Sequence, residues 1–146
     1  MRSGLAALDA ASNERVEIRL RSLYPPPGAR ATLEAYFAVA LPTDRESHRF
    51  HLLWTSYSIL AMTDPEISDR TFVESPNRLE KRIASILEQG KSEGEFYGPL
   101  DTELEAKILI SLIHGLGTAV LVGQQTTESA FASFEHYLDR LGRRKE

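Results

Sequence analysis

The residues able to do chemistry here are few: four histidines, one tryptophan and no cysteine. Without cysteine there are no disulfides, zinc–thiolate sites, iron–sulfur clusters or thiol nucleophiles. Gly90-Lys91-Ser92-Glu93-Gly94 spells G-x-S-x-G. A nucleophile elbow needs a strand before its serine and a helix after it. Here a helical pattern precedes and a loop follows, so the match is accidental. No nucleophile–base pair can be placed, and the chain reads as a non-enzyme. His48 and His51 stand three apart on one helix face. A bundle metal site of the carboxylate type uses Glu-x-x-His pairs. No histidine here has a glutamate three residues before it. The expectation is therefore no metal and no cofactor.

His114 sits inside an apolar run, followed by Gly115-Leu116-Gly117. A third glycine and a preceding strand, both needed for a dinucleotide loop, are missing. Glycine in a helix interior costs about 1 kcal/mol relative to alanine, so something must offset it. Close packing of a neighbouring helix would do so, and so would room left for a ligand. Phe50, Trp54, Tyr57 and Ala61 fall on one face of a helix, with Ile59 and Met62 flanking it. Aligned aromatics of this kind build a core or line an apolar ligand cavity. The pattern leaves both readings open.

Helices must position these groups, because alternating strand patterns and hairpin turns are nearly absent. Leu5, Leu8, Val16, Leu20 and Leu23 keep helical spacing until Pro25-Pro26-Pro27-Gly28. A second helix spans 29–41, with Leu33, Tyr36, Phe37 and Leu41 inward, and Pro42 ends it. Thr43 and Glu46 read as a capping box for a third helix that runs to Thr63. Asp64-Pro65 opens a fourth, interrupted near Ser75-Pro76 and stopped at Gly90. Asp101 caps a fifth, which ends near Gly123. Thr126 or Thr127 caps a sixth, with Phe131, Phe134, Leu138 and Leu141 on one stripe.

Composition sets the limits around this frame. The chain has 146 residues, enough for one domain with a real core. Its net charge of −4 lacks the field of a stand-alone nucleic-acid binder. Arg2, Arg15, Arg19 and Arg21 accordingly read as a solvated helix face. The apolar run Ile108–Val122 is about 15 residues, short of the ~20 that cross a bilayer. No secretory signal is visible at the N-terminus. These features point to a cytoplasmic protein with no membrane partner.

In order, the segments resemble the C-terminal regulatory domain of TetR/AcrR-type transcriptional repressors, from about Leu5 to Leu141. Leu5-Ala6-Ala7-Leu8-Asp9-Ala10-Ala11 with Arg15-Val16 resembles that family's connecting helix. Leu53-Trp54 through Thr63-Asp64-Pro65-Glu66-Ile67 resembles its sixth-to-seventh helix junction. Arg82-Ile83 through Gly90, then Glu93-Gly94-Glu95-Phe96, is similar to its seventh helix and following turn. Asp101 through Leu112-Ile113-His114-Gly115-Leu116 resembles its eighth helix. There the family usually carries an acidic residue before the glycine, where this chain has His114.

The resemblance implies an all-α fold of about six helices with a two-helix dimerisation face. It divides the chain into a remnant of the connecting helix, 1–24, and a ligand-binding and dimerisation domain, 25–146. It implies a homodimer that pairs its last two helices with a second copy. Here that would use Gly115, Gly117, Thr118, Leu121 and Val122 with Phe131, Phe134, Tyr137, Leu138 and Leu141. It also implies a small apolar or amphipathic effector; helical facing assigns Phe37, Phe50, Trp54, Tyr57, Met62 and His114 to its pocket. DNA would be read by an N-terminal helix-turn-helix, whose marks do not occur upstream of Leu5. The expectation is thus a fragment, a misassigned start or a natural short form. A short form would be a helical interaction protein that dimerises with a full-length relative and does not bind DNA itself.

Overall fold

The computed structural model describes residues 14–23, 27–64 and 70–142, with the backbone alone over 70–76. Among these residues there are six helices and no strand. Helix α1 covers 14–21 within the described range. It is followed by α2 (Ala29–Ala40), α3 (Arg45–Thr63), α4 (Arg70–Ser92), α5 (Thr102–Leu121) and α6 (Thr127–Gly142). The readings placed on Leu5, Leu8, Pro25, Pro26, Pro65 and Arg2 lie outside the described residues.

The core is built by α2, α4, α5 and α6. Leu33, Phe37 and Leu41 from α2 and its end meet Ile83, Ile86 and Leu87 from α4. Ala106, Leu109, Ile113 and Leu116 from α5 join Ala130, Phe134, Leu138 and Leu141 from α6. Each set repeats at three or four residues, so one apolar stripe per helix turns inward. Phe37 stacks on Phe134 with ring centroids 4.1 Å apart, and meets Phe131 edge-on at 5.1 Å. The opposite side of α2 is also covered: Ala35 and Val39 pack with Val16 of α1.

Helix ends explain where the sequence reading shifts. Thr43 does not cap α3, because its amide turns back to the Leu41 carbonyl at 2.8 Å. Asp44 takes the cap instead: its side chain accepts from the Ser47 amide, and the Ser47 hydroxyl reaches back to the Asp44 amide. Helix α4 runs unbroken through Ser75-Pro76. Proline there removes one backbone donor, and the inward row Leu79, Ile83, Ile86 and Leu87 holds the helix together. Nor does Gly90 end α4. It is a buried helical position against the Phe96 ring, where a Cβ would collide, and the helix continues to Ser92 before Gly94 turns at φ 80°. Asp101 caps α5 by accepting from the Leu104 amide. Thr126 receives the Ser129 amide at 3.1 Å and so caps α6. Gly28 has no side chain to cap α2. The Glu95 carboxylate, from the turn after α4, accepts from the Ala29 amide at 2.7 Å in its place.

At 20 residues, α5 is longer than its apolar run suggested and meets the length and hydropathy of a membrane span. Its hydropathy has another explanation in the fold. Its buried side is the spine of the core, packed against α4 and α6.

Candidate functional site

Among the described residues, a buried polar ring with unpaired nitrogens lies between α3 and α5. Only Ser47, His51 and Tyr57 of the 19 residues of α3 are buried. His51 is 2% exposed, and neither ring nitrogen has a hydrogen-bond partner. Each such orphan costs about 1–3 kcal/mol. The imidazole lies against Gly117 of α5, where an added Cβ would overlap the ring. Gly117 is therefore the seat of His51, and this close approach offsets its poor helix propensity. Gly115 has open space beside it instead.

One turn along each helix, Trp54 stacks on His114 with centroids 5.0 Å apart and planes 29° apart. Trp54 and His114 are half-buried, so this pair forms the edge of the seam. Burial pushes the His114 imidazole down to about 4, and the charge on His51 pushes the same way. Burial likewise lowers His51; His48 adds to this, while the nearby His114 backbone opposes it without the alignment of a hydrogen bond. Both rings are uncharged at neutral pH. Among the described residues, no carboxylate, lysine or arginine acts on either ring.

The residues expected to line a pocket separate in the fold. Trp54 and His114 come together. Tyr57 is buried and Phe50 half-buried on the same helix. Phe37 belongs to the core stack with Phe134. Met62 points to solvent at 82% exposure, because α3 has no neighbour on that side among the described residues. His51 was not among the residues expected at the pocket, and the structure buries it against Gly117. The signal was Gly117, a mid-helix glycine that needs a neighbour pressed against it.

The residues expected at a dimer face also separate. Phe134, Leu138 and Leu141 fill the protomer's own core, and Gly117 is covered by His51. Tyr137 donates to Glu105 of α5; burial raises its phenol and the Glu105 hydrogen bond adds to that. Phe131 is half-buried against Phe37. Gly115, Thr118 and Val122 do face outward, with Leu121 half-buried beside them. They continue an exposed stripe that begins at Leu104 and Ile108. Ser92, the serine of the accidental G-x-S-x-G, ends α4 and donates to the Gln89 carbonyl at 3.0 Å.

A link runs from α3 to α1. Arg15 pairs with Asp44 at 2.5 Å and with Glu46 at 3.5 Å. Asp44 is held at about 2, first by the Ser47 amide and with Arg15 contributing.

Residues 29–143 match the family of BetI-type transcriptional repressor C-terminal domains. The chain belongs to this family. The match takes in α2 to α6 and leaves α1 outside. No curated protein matches the chain. TetR-type C-terminal domains generally dimerise and bind small effectors. The seam and the α5 stripe both lie apart from the apolar core of the domain.

Proposed function

We propose that this chain is the effector-sensing and homodimerising part of a TetR-type repressor working in the cytoplasm. Residues 25–146 form the sensing unit, residues up to 24 connect it onward, and DNA is read by a helix-turn-helix outside this sequence. The carrying observation is the polar seam of His51, Trp54 and His114 set into an otherwise apolar domain. A domain selected for stability alone would not retain two orphaned nitrogens at a helix contact. An effector at the seam shifts α3, and the Arg15 link carries that shift to α1. The effector acts by binding one arrangement of α3 better than the other.

The dimer face in this reading is the outward stripe of α5: Leu104, Ile108, Gly115, Thr118 and Val122. Leu121, Phe131 and Tyr137 lie at its edge. Sedimentation of the chain tests it, with a dimer expected. Gly115→Arg should yield a monomer, because the new side chain meets nothing in its own protomer but blocks a partner. A monomer at every concentration in the unsubstituted chain would sink the homodimer. Operator release tests the sensing role: the native protein, bound to its own upstream DNA, should let go on addition of a small-molecule cell extract. An operator complex indifferent to such extracts would remove effector sensing from the proposal.

A further inference from the structure

On the effector-sensing reading, we infer that the α3–α5 seam takes an uncharged amphipathic molecule. Its hydroxyl- or amide-type group bonds His51, and its flat apolar part lies against Trp54 and His114.

The polar end follows from the orphaned ring. A neutral imidazole carries one N–H donor and one nitrogen acceptor. Both are buried in His51 and both lack partners. A group that donates and accepts, such as an alcohol or a primary amide, satisfies the ring on either edge. The apolar part follows from the half-buried Trp54–His114 stack that forms the seam's rim.

The absence of charge follows from the surroundings. Bringing an ion against a buried neutral ring removes its hydration without giving it a counter-charge. The groups acting on His51 are His48 and the backbone of His114, and the group acting on His114 is His51. The ion pairs of Arg15, Arg30, Lys91 and Lys107 are made with Asp44 and Glu46, Glu34 and Asp139, Glu88, and Glu80, none of them a seam residue. Among the described residues, no carboxylate, lysine or arginine acts on the two rings to complement a bound ion.

The way in is α3 itself. Its outward side, with Leu52, Ile59 and Met62, is exposed, and its inward hold is mainly on α5. A small outward shift of α3 opens the seam without disturbing the core of α2, α4, α5 and α6. His51 then acts as the specificity residue and not as a structural one.

Three probes of one size separate the possibilities: benzyl alcohol, benzoate and benzylammonium, titrated into the intact chain at neutral pH. Trp54 is the one tryptophan, so its fluorescence reports the seam alone. The nitrogen resonances of His51 report the hydrogen bond. Benzyl alcohol should bind roughly tenfold more tightly than either ion, about 1.4 kcal/mol. It should also move the His51 resonances. His51→Leu should weaken benzyl alcohol binding while raising the melting temperature, since it removes two orphaned nitrogens. His51→Gln, which keeps a donor and an acceptor, should retain part of the affinity and guards against a misfolded leucine variant. Preference for benzoate or benzylammonium overturns the uncharged class while leaving an effector site in place. Unchanged binding in both His51 variants overturns the anchor. No response of Trp54 to any probe overturns the seam as a binding site, whereas operator release tests effector sensing independently.

Discussion

Two helix contacts in this domain are built on opposite principles. Where α2 meets α6, Phe37 lies flat on Phe134, both rings fully buried and without polar atoms. Where α3 meets α5, a histidine with two orphaned nitrogens presses on a bare glycine. The first contact gains all the free energy its buried area allows. The second forgoes much of it. A protein tolerates such a contact where stability is not the property under selection. On the proposed reading, the α2–α6 side holds the fold and the α3–α5 side is the one that changes.

The largest test of that division is Phe134→Ala. It removes a fully buried ring and its stacking partner's contact, and should cost about 3–5 kcal/mol. Met62→Ser, on the exposed side of α3, should stay within about 0.5 kcal/mol. Urea unfolding of both variants measures the gap. Comparable losses would mean that α3 is held as firmly as the core.

Acid should act on the seam and spare the stack. His114 titrates near 4 in the folded domain against an ordinary value of 6.5. Between those values the unfolded chain binds the extra proton, so stability rises with pH there. It is complete above 6.5, declines below that and reaches its full loss near 4. That loss is on the order of 3 kcal/mol for His114. His51 shifts in the same direction and adds to it. His114→Gln should flatten the pH dependence of the unfolding midpoint. A profile identical in wild type and variant would show that His114 is not the group that titrates.

The core was legible in the sequence and the seam was not, for one physical reason. Helical periodicity marks which positions are apolar, and it correctly aligned Phe131, Phe134, Leu138 and Leu141 on one face of α6. It does not say what covers that face. Phe134, Leu138 and Leu141 therefore read as equally suited to a partner subunit, although the protomer buries them itself. The N-caps of α3, α5 and α6 were legible to within a residue, since the choice between Thr43 and Asp44 turned on a loop bond from Thr43 to Leu41. His51 was out of reach because its burial is created by Gly117, a residue on another helix. Only the glycine's unexplained cost hinted at it.

That cost suggests a subtler test. Gly117→Ala gains about 1 kcal/mol of helix propensity. It also forces the His51 ring aside, an overpacking worth about 1–3 kcal/mol. With His51 present the substitution should destabilise by about 1 kcal/mol. In a His51→Ala background it should stabilise by about the same amount, because the propensity gain alone remains. A double-mutant cycle reads this reversal directly. Additive effects would separate Gly117 from His51 and leave the glycine unexplained.

The smallest effect on stability should come from the link that the proposed signalling runs through. Arg15 and Asp44 are both partly exposed, and such a pair contributes about 0–1 kcal/mol. Asp44 keeps its cap without Arg15, because the Ser47 amide is the larger influence on its carboxylate. Arg15→Ala should therefore barely move the unfolding midpoint, while Asp44→Ala loses the cap and costs about 1 kcal/mol. Hydrogen exchange should respond in the reverse order of interest. Without Arg15, amides of α1 around Val16 should exchange faster, and those of α3 beyond its first turn should not change. If α1 keeps its protection, its hold is the packing of Val16 on Ala35 and Val39, and a shift of α3 would have to reach α1 through α2. The two outcomes thus distinguish a polar link that can be made and broken from an apolar one that moves only with the core.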